Sequence, residues 1–171
     1  MLPVSLALTL LLAGSVRYAP DPPPPTAPAP TPADAAAVKA EIAKPGASAV
    51  LVNVWATWCM PCQEEFPDLL HVAREFKDKG LRTLLVSADF PGMEIEARQF
   101  LSRQKVDFAT FIKAGKDEEF VNGIHDAWSG ALSATFIYDG QGRLVRFWEG
   151  KASYPLLKQR VEEALARKEI P

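Results

Sequence analysis

The run of residues 49–55, Ala-Val-Leu-Val-Asn-Val-Trp, constrains the fold more than any other part of the sequence. It is rich in β-branched side chains and shows no alternation of polar residues, which is typical of a strand buried on both faces of a parallel sheet. Apolar residues at helical spacing follow over residues 59–79, and a second apolar run follows at 81–88. A strand, a helix and a second strand in this order indicate an α/β architecture.

The remaining periodicity predicts further helices and strands on both sides of this unit. Predicted helices cover residues 35–43, 94–104, 117–124 and 154–166, the last capped by Ser153, and predicted strands cover 108–112, 135–138 and 144–148. The last two strands are joined by the turn at residues 139–142 and form a hairpin. We therefore expect an α/β sandwich with a central mixed sheet flanked by helices.

The first 33 residues are predicted to be a targeting segment followed by a linker. Residues 2–13 are almost all apolar, but a run of about 12 is short of the roughly 20 residues that span a membrane. A signal peptide over residues 1–15 fits better, with cleavage after Ser15. We therefore expect a periplasmic or otherwise extracytoplasmic protein, close to the membrane if this segment stays uncleaved.

Eight of the 15 prolines lie between Pro20 and Pro32. Proline lacks an amide donor and has a fixed φ, so this tract can form neither a helix nor a central strand. It is predicted to be a proline-rich linker over residues 16–33 with extended geometry. Residues 34–171 are left for one folded domain.

Composition excludes several classes of protein. A formal net charge of −2 argues against a nucleic-acid binder, which would have a basic surplus. About 48% of the residues are apolar, enough for a core, and only 2 are cysteines, which excludes a scaffold stapled by several disulfides.

Both cysteines fall in one Cys-Met-Pro-Cys unit, Cys59 to Cys62, between the first buried strand and its helix. A c-type haem attachment needs histidine at the next position, where Gln63 stands. A zinc site needs four ligands, and His71 and His125 lie at spacings typical of no zinc motif. A dithiol–disulfide redox pair is the interpretation that remains, and no cofactor-binding motif accompanies it.

The start of a helix favours reaction at Cys59. Its unpaired amides and the positive end of its dipole stabilise a thiolate, so Cys59 should ionise below the usual thiol pKa of about 8.5 and face solvent. Cys62 lies one turn further in and should be better buried. Cys59 would attack a substrate disulfide, and Cys62 would resolve the mixed disulfide, leaving a reduced substrate and a Cys59–Cys62 bridge.

Residues 55–67, Trp-Ala-Thr-Trp-Cys-Met-Pro-Cys-Gln-Glu-Glu-Phe-Pro, resemble the active-site segment of the thioredoxin-like family. They are similar to its exported TlpA/ResA/DsbE branch, and residues 132–142 resemble a second signature of that branch. The resemblance implies a thioredoxin fold and thiol-disulfide exchange outside the cytoplasm, commonly reducing, with antioxidant activity and cytochrome c maturation as settings. It also implies a protein substrate that contains a disulfide. Because no cofactor-binding motif is present, we expect a separate thiol-based electron donor as a second partner.

The resemblance also assigns a proton carrier. Thioredoxins have a buried aspartate where this chain has Asn53, and the exported branch uses a glutamate at the position of Glu65. A carboxyl beside Cys62 could take its proton during resolution. Glu65 is therefore the third candidate catalytic residue, and its alternative role is to support the helix surface.

Five residues are candidates for substrate binding: Trp58, Met60, Pro61, Leu132 and Ser133. Trp58 is expected to form a wall beside Cys59, whereas Trp55 is expected in the core. Ser133 stands where the family has a cis-proline that faces the dithiol. A cis bond before another residue costs roughly 2.5–4 kcal/mol, so the Leu132–Ser133 peptide is either trans or strained, and the residues leave both open.

Two other functions are compatible with these residues. The dithiol could hold a metal or a maturing metalloprotein without turnover, which would make the domain a binding module or chaperone. A thiol peroxidase on the same fold is a further alternative.

Overall fold

The structure is a computed structural model that describes residues 26–167. The predicted signal peptide and residues 16–25 of the predicted linker lie outside this range. The strands are β1 (Thr31–Ala33), β2 (Ala49–Trp55), β3 (Leu81–Ser87), β4 (Phe111–Lys113), β5 (Ala134–Asp139) and β6 (Leu144–Glu149). The helices are α1 (Ala35–Ala43), α2 (Met60–Lys77), α3 (Glu94–Arg103), α4 (Asp117–Ile124) and α5 (Tyr154–Ala166).

The strands form one mixed sheet in the order β1-β4-β3-β2-β5-β6. Neighbouring strands from β1 to β2 run parallel, while β5 is antiparallel to both β2 and β6. This confirms the predicted α/β class with a central mixed sheet. It also explains why residues 49–55 are all buried, because β2 lies between β3 and β5.

Helices cover both faces of the sheet, and β2 contributes alternate side chains to each face. Val50, Val52 and Val54 pack with α1 and α4. Leu51 and Trp55 pack with α2, α3 and α5. Asn53 has the same parity as this second pair, so its amide points toward the α2 layer.

The expected helix faces are confirmed in the α2 layer. Phe66 and Phe100 surround Trp55, with ring centroids 5.0 and 4.9 Å away. Ser153 occupies the N-cap of α5 as predicted, but its side chain makes no capping bond within the described residues. The amide of Tyr154 is instead satisfied by a carboxylate of α2, Asp68, at 2.9 Å.

The structure differs from the sequence expectation at the boundary of the linker. Thr31–Ala33 form the edge strand β1, and Ala27 is buried in the core with its amide bonded to Ser102 Oγ at 2.9 Å. The folded unit therefore begins before residue 34. Proline is tolerated here because β1 lies at the edge of the sheet, where one side needs no ladder bonds. A second difference is β4, predicted at residues 108–112 and found at Phe111–Lys113.

Candidate active site

The two cysteines lie where β2 ends and α2 begins. Cys59 is the N-cap residue of α2, with extended backbone angles, and its Sγ accepts the amide N–H of Cys62 at 3.3 Å. Met60 and Pro61 form the first turn, where a missing proline amide leaves no hydrogen bond broken. Cys59 Sγ therefore occupies the position at which the helix dipole stabilises negative charge.

Cys59 and Cys62 are joined by a disulfide, with an S–S distance of 2.01 Å and Cα atoms 5.3 Å apart. The side chains are 6% and 2% exposed, respectively. The order of exposure is the expected one, but the expectation that Cys59 faces solvent is wrong for this oxidised form. In the disulfide the two sulfurs face each other, and little of Cys59 is accessible.

A buried aspartate after β3 fixes the segment that leads to the cysteines. Asp89 Oδ1 accepts the amide N–H of Thr57 at 2.9 Å and its hydroxyl at 2.6 Å. Asp89 Oδ2 accepts the hydroxyl of Ser87 at 2.6 Å. Gln63 Nε2, one turn into α2, donates to the carbonyl oxygen of Thr57 at 2.5 Å. The backbone at Thr57, two residues before Cys59, is therefore fixed by Asp89 on one side and by Gln63 on the other.

Glu65 lies one turn after Cys62 on the buried side of α2, so both side chains share one face of the helix. Its side chain is 1% exposed. Asn53 Nδ2 donates to Oε1 at 2.9 Å, and the Ala152 amide and the Ser133 hydroxyl donate to Oε2 at 2.5 and 3.3 Å. The three donors favour the charged form of this carboxyl, whereas its burial favours the neutral form.

The two effects on Glu65 oppose each other. Burial is the larger, and it raises the pKa of the Glu65 carboxyl above its ordinary value of 4.5. The hydrogen bonds from Ala152, Asn53 and Ser133 lower the pKa by smaller amounts. A raised pKa makes the charged form of this carboxyl a better proton acceptor than an exposed glutamate.

The structure also places Ser133 and the residues around it. The Leu132–Ser133 peptide is cis, which decides between the two alternatives left open by the sequence. Ser133 is fully buried, and Leu132 is half-buried beside it. Asn53 Nδ2 also donates to Thr135 Oγ1 at 3.0 Å, so the strand after Ser133 belongs to the same polar network.

A cleft with a volume of about 500 Å³ is lined by apolar and charged side chains, among them Trp58, which directly precedes Cys59 in the chain. Trp58 is 51% exposed at its edge and stacks on Phe90, with ring centroids 5.5 Å apart. Trp128, Phe120 and Leu132 contribute to its wall. Of the predicted substrate-binding residues, Trp58 and Leu132 line the cleft, Met60 and Pro61 are exposed at the start of α2, and Ser133 is buried behind them.

Residues 26–167 hold no cluster of three or more histidine, cysteine, aspartate or glutamate side chains placed to bind a metal ion. In the same range, none of the helices is both long enough and apolar enough to cross a bilayer.

Sequence reasoning missed the polar groups Asp89, Thr135 and Ala152. Asp89 lies two residues after β3 and Thr135 is the second residue of β5, and a polar residue at the end of a buried strand was a usable signal. Ala152 contributes through its backbone amide, which no side-chain pattern reveals.

Comparison with known protein families gives a match over most of the chain. A sequence model of the AhpC/TSA family matches residues 26–147, more than half of the chain. The thiol-disulfide oxidoreductase ResA of Bacillus thuringiensis (strain Al Hakam) is 27% identical over 107 residues. The matched region spans 63% of this chain and 58% of the relative, so less than two thirds of that protein's length is covered.

Solved structures give the fold. A thiol:disulfide interchange protein of the thioredoxin family from Chlorobium tepidum TLS has a TM-score of 0.62 at 22% identity, over 86% of this chain and 99% of that one. A secreted thiol-disulfide isomerase from Corynebacterium glutamicum has a TM-score of 0.60 at 19% identity, over 72% of each chain. The chain has a thioredoxin fold.

Proposed function

The chain belongs to the AhpC/TSA family, and from this premise we propose that it is a thiol-disulfide oxidoreductase that reduces disulfides of other proteins. One observation carries the proposal. The two cysteines form a disulfide at the start of α2, with the buried carboxyl of Glu65 one turn further along. The similarity to ResA supports the same activity.

The reaction begins with the reduced protein. Cys59 is the nucleophile because its sulfur caps the helix, where the dipole favours the thiolate. Cys59 Sγ attacks one sulfur of the substrate disulfide, that S–S bond breaks, and the other sulfur leaves as a thiolate that takes a proton from water. The product is a mixed disulfide between Cys59 and the substrate.

Resolution requires Cys62 to lose its proton. We assign Glu65 as the acceptor, since its carboxyl is buried on the same helical face. Cys62 Sγ then attacks Cys59 Sγ, the mixed disulfide breaks, and the substrate leaves with its second sulfur reduced. Two electrons pass from the dithiol to the substrate, and the Cys59–Cys62 bridge remains. A separate thiol-based donor returns the pair to the dithiol.

The substrate docks in the cleft that Trp58, the residue before Cys59, helps to line. Trp58 and Leu132 form apolar walls on it, and Met60 and Pro61 present exposed surface next to Cys59. Ser133 lies behind this surface and is treated separately below. The substrates are exported proteins with accessible disulfides, including c-type cytochromes before haem attachment.

We place the protein outside the cytoplasm. The apolar segment at residues 2–13 and the small residues Ala13 and Ser15 support export, and one structural relative is itself described as secreted. Fractionation of cells that produce the full chain, with sequencing of the exported protein's amino terminus, should give Val16 as the first residue. Recovery of the chain in the cytoplasm with residues 1–15 intact would contradict this placement.

Reduction of insulin by dithiothreitol tests the activity. The protein should accelerate it, Cys59→Ser should abolish the acceleration, and Thr110→Val should keep it. Thr110 is a matched control because it is buried and precedes β4, two strands away from β2 in the sheet. An unchanged rate with Cys59→Ser would overturn the proposal. Stoichiometric metal retention without reduction would favour a binding module, and Cys59-dependent consumption of peroxide would favour a peroxidase.

A further inference from the structure

Ser133 has an unusual place for a serine hydroxyl. The side chain is fully buried at the end of the segment that leads into β5, and its Oγ donates to Glu65 Oε2 at 3.3 Å. The backbone around it is held as well, because the amide of Gly150 donates to the Ser133 carbonyl oxygen at 2.7 Å. The hydroxyl is therefore fixed against a carboxyl and away from the substrate cleft.

We propose that Ser133 is a positioning residue that holds the Glu65 carboxyl ready both to accept and to return the proton of Cys62. The inference rests on the proposed function, in which Glu65 is the proton carrier. Ser133 acts through Glu65, and no contact between Ser133 and the reacting sulfurs is required.

The chemistry of the three partners of Glu65 singles out Ser133. As the side chains are oriented, Asn53 Nδ2 and the backbone amide of Ala152 present N–H groups to Glu65, and these groups donate. Asn53 would present its amide oxygen only if the whole side-chain amide turned over. A serine hydroxyl can donate to the carboxylate and, after rotation of its proton alone, accept from the protonated carboxyl. Among these three donors, the Ser133 hydroxyl is therefore the one that can follow the protonation of Glu65 without moving a heavy atom.

The direction of the effect follows from relative strengths. A hydrogen bond to a charged acceptor is roughly twice as strong as a neutral one. Loss of the hydroxyl therefore destabilises the carboxylate more than the neutral acid, and the midpoint of Glu65 titration should move up. Because 3.3 Å is long for such a bond, we expect a shift of roughly 0.5–1 pH unit.

Charged groups near Glu65 do not obscure this shift. β2 and the segment before β5 face it with neutral groups, Asn53 and Ser133. The loop after β6 brings Lys151, which forms an ion pair with Glu64 of α2 at 2.9 Å. That hydrogen bond raises the pKa of Lys151, which stays charged throughout the range of the experiment. Asp68, also on α2, is occupied by the amide of Tyr154.

Reduced protein and the chromogenic disulfide 5,5′-dithiobis(2-nitrobenzoate) separate the two steps. Attack by Cys59 releases one thionitrobenzoate anion and leaves the other bonded to Cys59. Attack by Cys62 on Cys59 Sγ then releases the second anion and closes the bridge. The rate of the second release is measured against pH by stopped flow for wild type and variants. Carboxyl carbon shifts in ¹³C NMR report Glu65 directly, with Glu65→Gln to assign the signal.

Ser133→Ala and Ser133→Gly both lack the hydroxyl, and either one that folds provides the test. We expect both midpoints, kinetic and spectroscopic, to rise by roughly 0.5–1 pH unit, with a second release about 3–10-fold slower below the midpoint. Ser133→Thr keeps a hydroxyl and should restore the wild-type profile. Thr110→Val, which removes a buried hydroxyl elsewhere, should leave both midpoints unchanged.

Superimposable profiles for wild type and the hydroxyl-free variants, with an unchanged Glu65 titration, would overturn the inference. The NMR titration needs no activity, so it distinguishes this failure from that of the proposed function. A shifted Glu65 midpoint in a protein that does not reduce insulin would leave the role of Ser133 standing and remove only the oxidoreductase.

Discussion

Asn53 of β2 and Glu65 of α2 are joined by a buried hydrogen bond of 2.9 Å between Nδ2 and Oε1. The bond ties the middle of the central strand to the helix that carries both cysteines. It forms because Asn53 lies on the face of β2 that packs against α2, while Glu65 lies on the buried face of that helix. The position of Glu65, the proposed proton carrier, is thus set by the same packing that forms the core.

Replacement of Cys62 by serine should trap the reaction halfway. Cys59 can still attack a substrate disulfide, but no second sulfur is available to resolve the mixed disulfide. Cys62→Ser incubated with an oxidised protein substrate should therefore accumulate a covalent adduct, seen by non-reducing electrophoresis and mass spectrometry. Cys59→Ser is the matched control and should form little adduct. Equal adduct from both variants would show that the roles of the two cysteines are assigned wrongly.

Replacement of Glu65 by glutamine should slow resolution by about 100-fold, the lower range for loss of general acid–base catalysis. The wild-type rate of the second thionitrobenzoate release should rise with pH above 4.5, because burial raises the pKa of this carboxyl and its charged form is the proton acceptor. Glu65→Gln should lose that rise, while the first release stays fast. A second release with unchanged rate and pH dependence would exclude Glu65 as the acceptor.

Replacement of Asn53 by aspartate places a second carboxyl against Glu65. Two buried carboxylates in contact disfavour ionisation, and each unit by which the pKa rises corresponds to about 1.4 kcal/mol. The folded-state pKa then exceeds the unfolded value, so stability falls as pH rises above the unfolded pKa. Urea denaturation should show Asn53→Asp to be less stable than wild type by about 1–4 kcal/mol at pH 7.5, with a smaller difference at pH 4. A constant difference across this range would contradict the burial of the pair.

The loss of stability at low pH should depend on the hydroxyl of Tyr154. Its hydroxyl donates to Glu75 at 2.5 Å and is the largest cause that lowers the pKa of Glu75, to about 2, with Lys158 as the second partner. A lowered carboxyl pKa stabilises the fold above pH 4.5, and this contribution is lost as pH falls toward 2. Tyr154→Phe keeps the ring stacked on His71 and removes the hydroxyl.

The melting temperature tests this linkage. Tyr154→Phe should melt below wild type at pH 7, and the gap should narrow as the pH falls from 4.5 to 3. If the difference in melting temperature stays constant from pH 7 to pH 3, the stabilisation by the Tyr154 hydroxyl does not depend on the charge of Glu75.

Local sequence was sufficient for the elements that carry the dithiol. The uninterrupted apolar run at residues 49–55 predicted β2, because a strand buried on both faces shows no alternation. The helical spacing after Cys59 predicted α2, because a helix buried along one stripe has an apolar residue every three or four positions. The edge strand β1 was not predicted, since a strand of three residues with Pro32 at its centre carries no such period. Its pairing with β4 is supplied by tertiary packing.

The environment of Glu65 could be predicted only in part. Its helix position follows from the spacing to Cys62, but Ser133 and Ala152 lie 68 and 87 residues further along the chain. Local patterns do not encode contacts of that range. Ala152 contributes a backbone amide, which side-chain patterns do not reveal. The contact of Ser133 depends on the tertiary position of the segment before β5.

Product stoichiometry after a single turnover shows whether Cys59 and Cys62 pass their electrons to a protein disulfide. Reduced protein is mixed with an equal amount of oxidised insulin, quenched in acid, alkylated and analysed by mass spectrometry. We expect one Cys59–Cys62 bridge to form for each insulin disulfide lost. Loss of insulin disulfides while both cysteines remain free to be alkylated, or intact insulin beside a fully reduced pair, would contradict it.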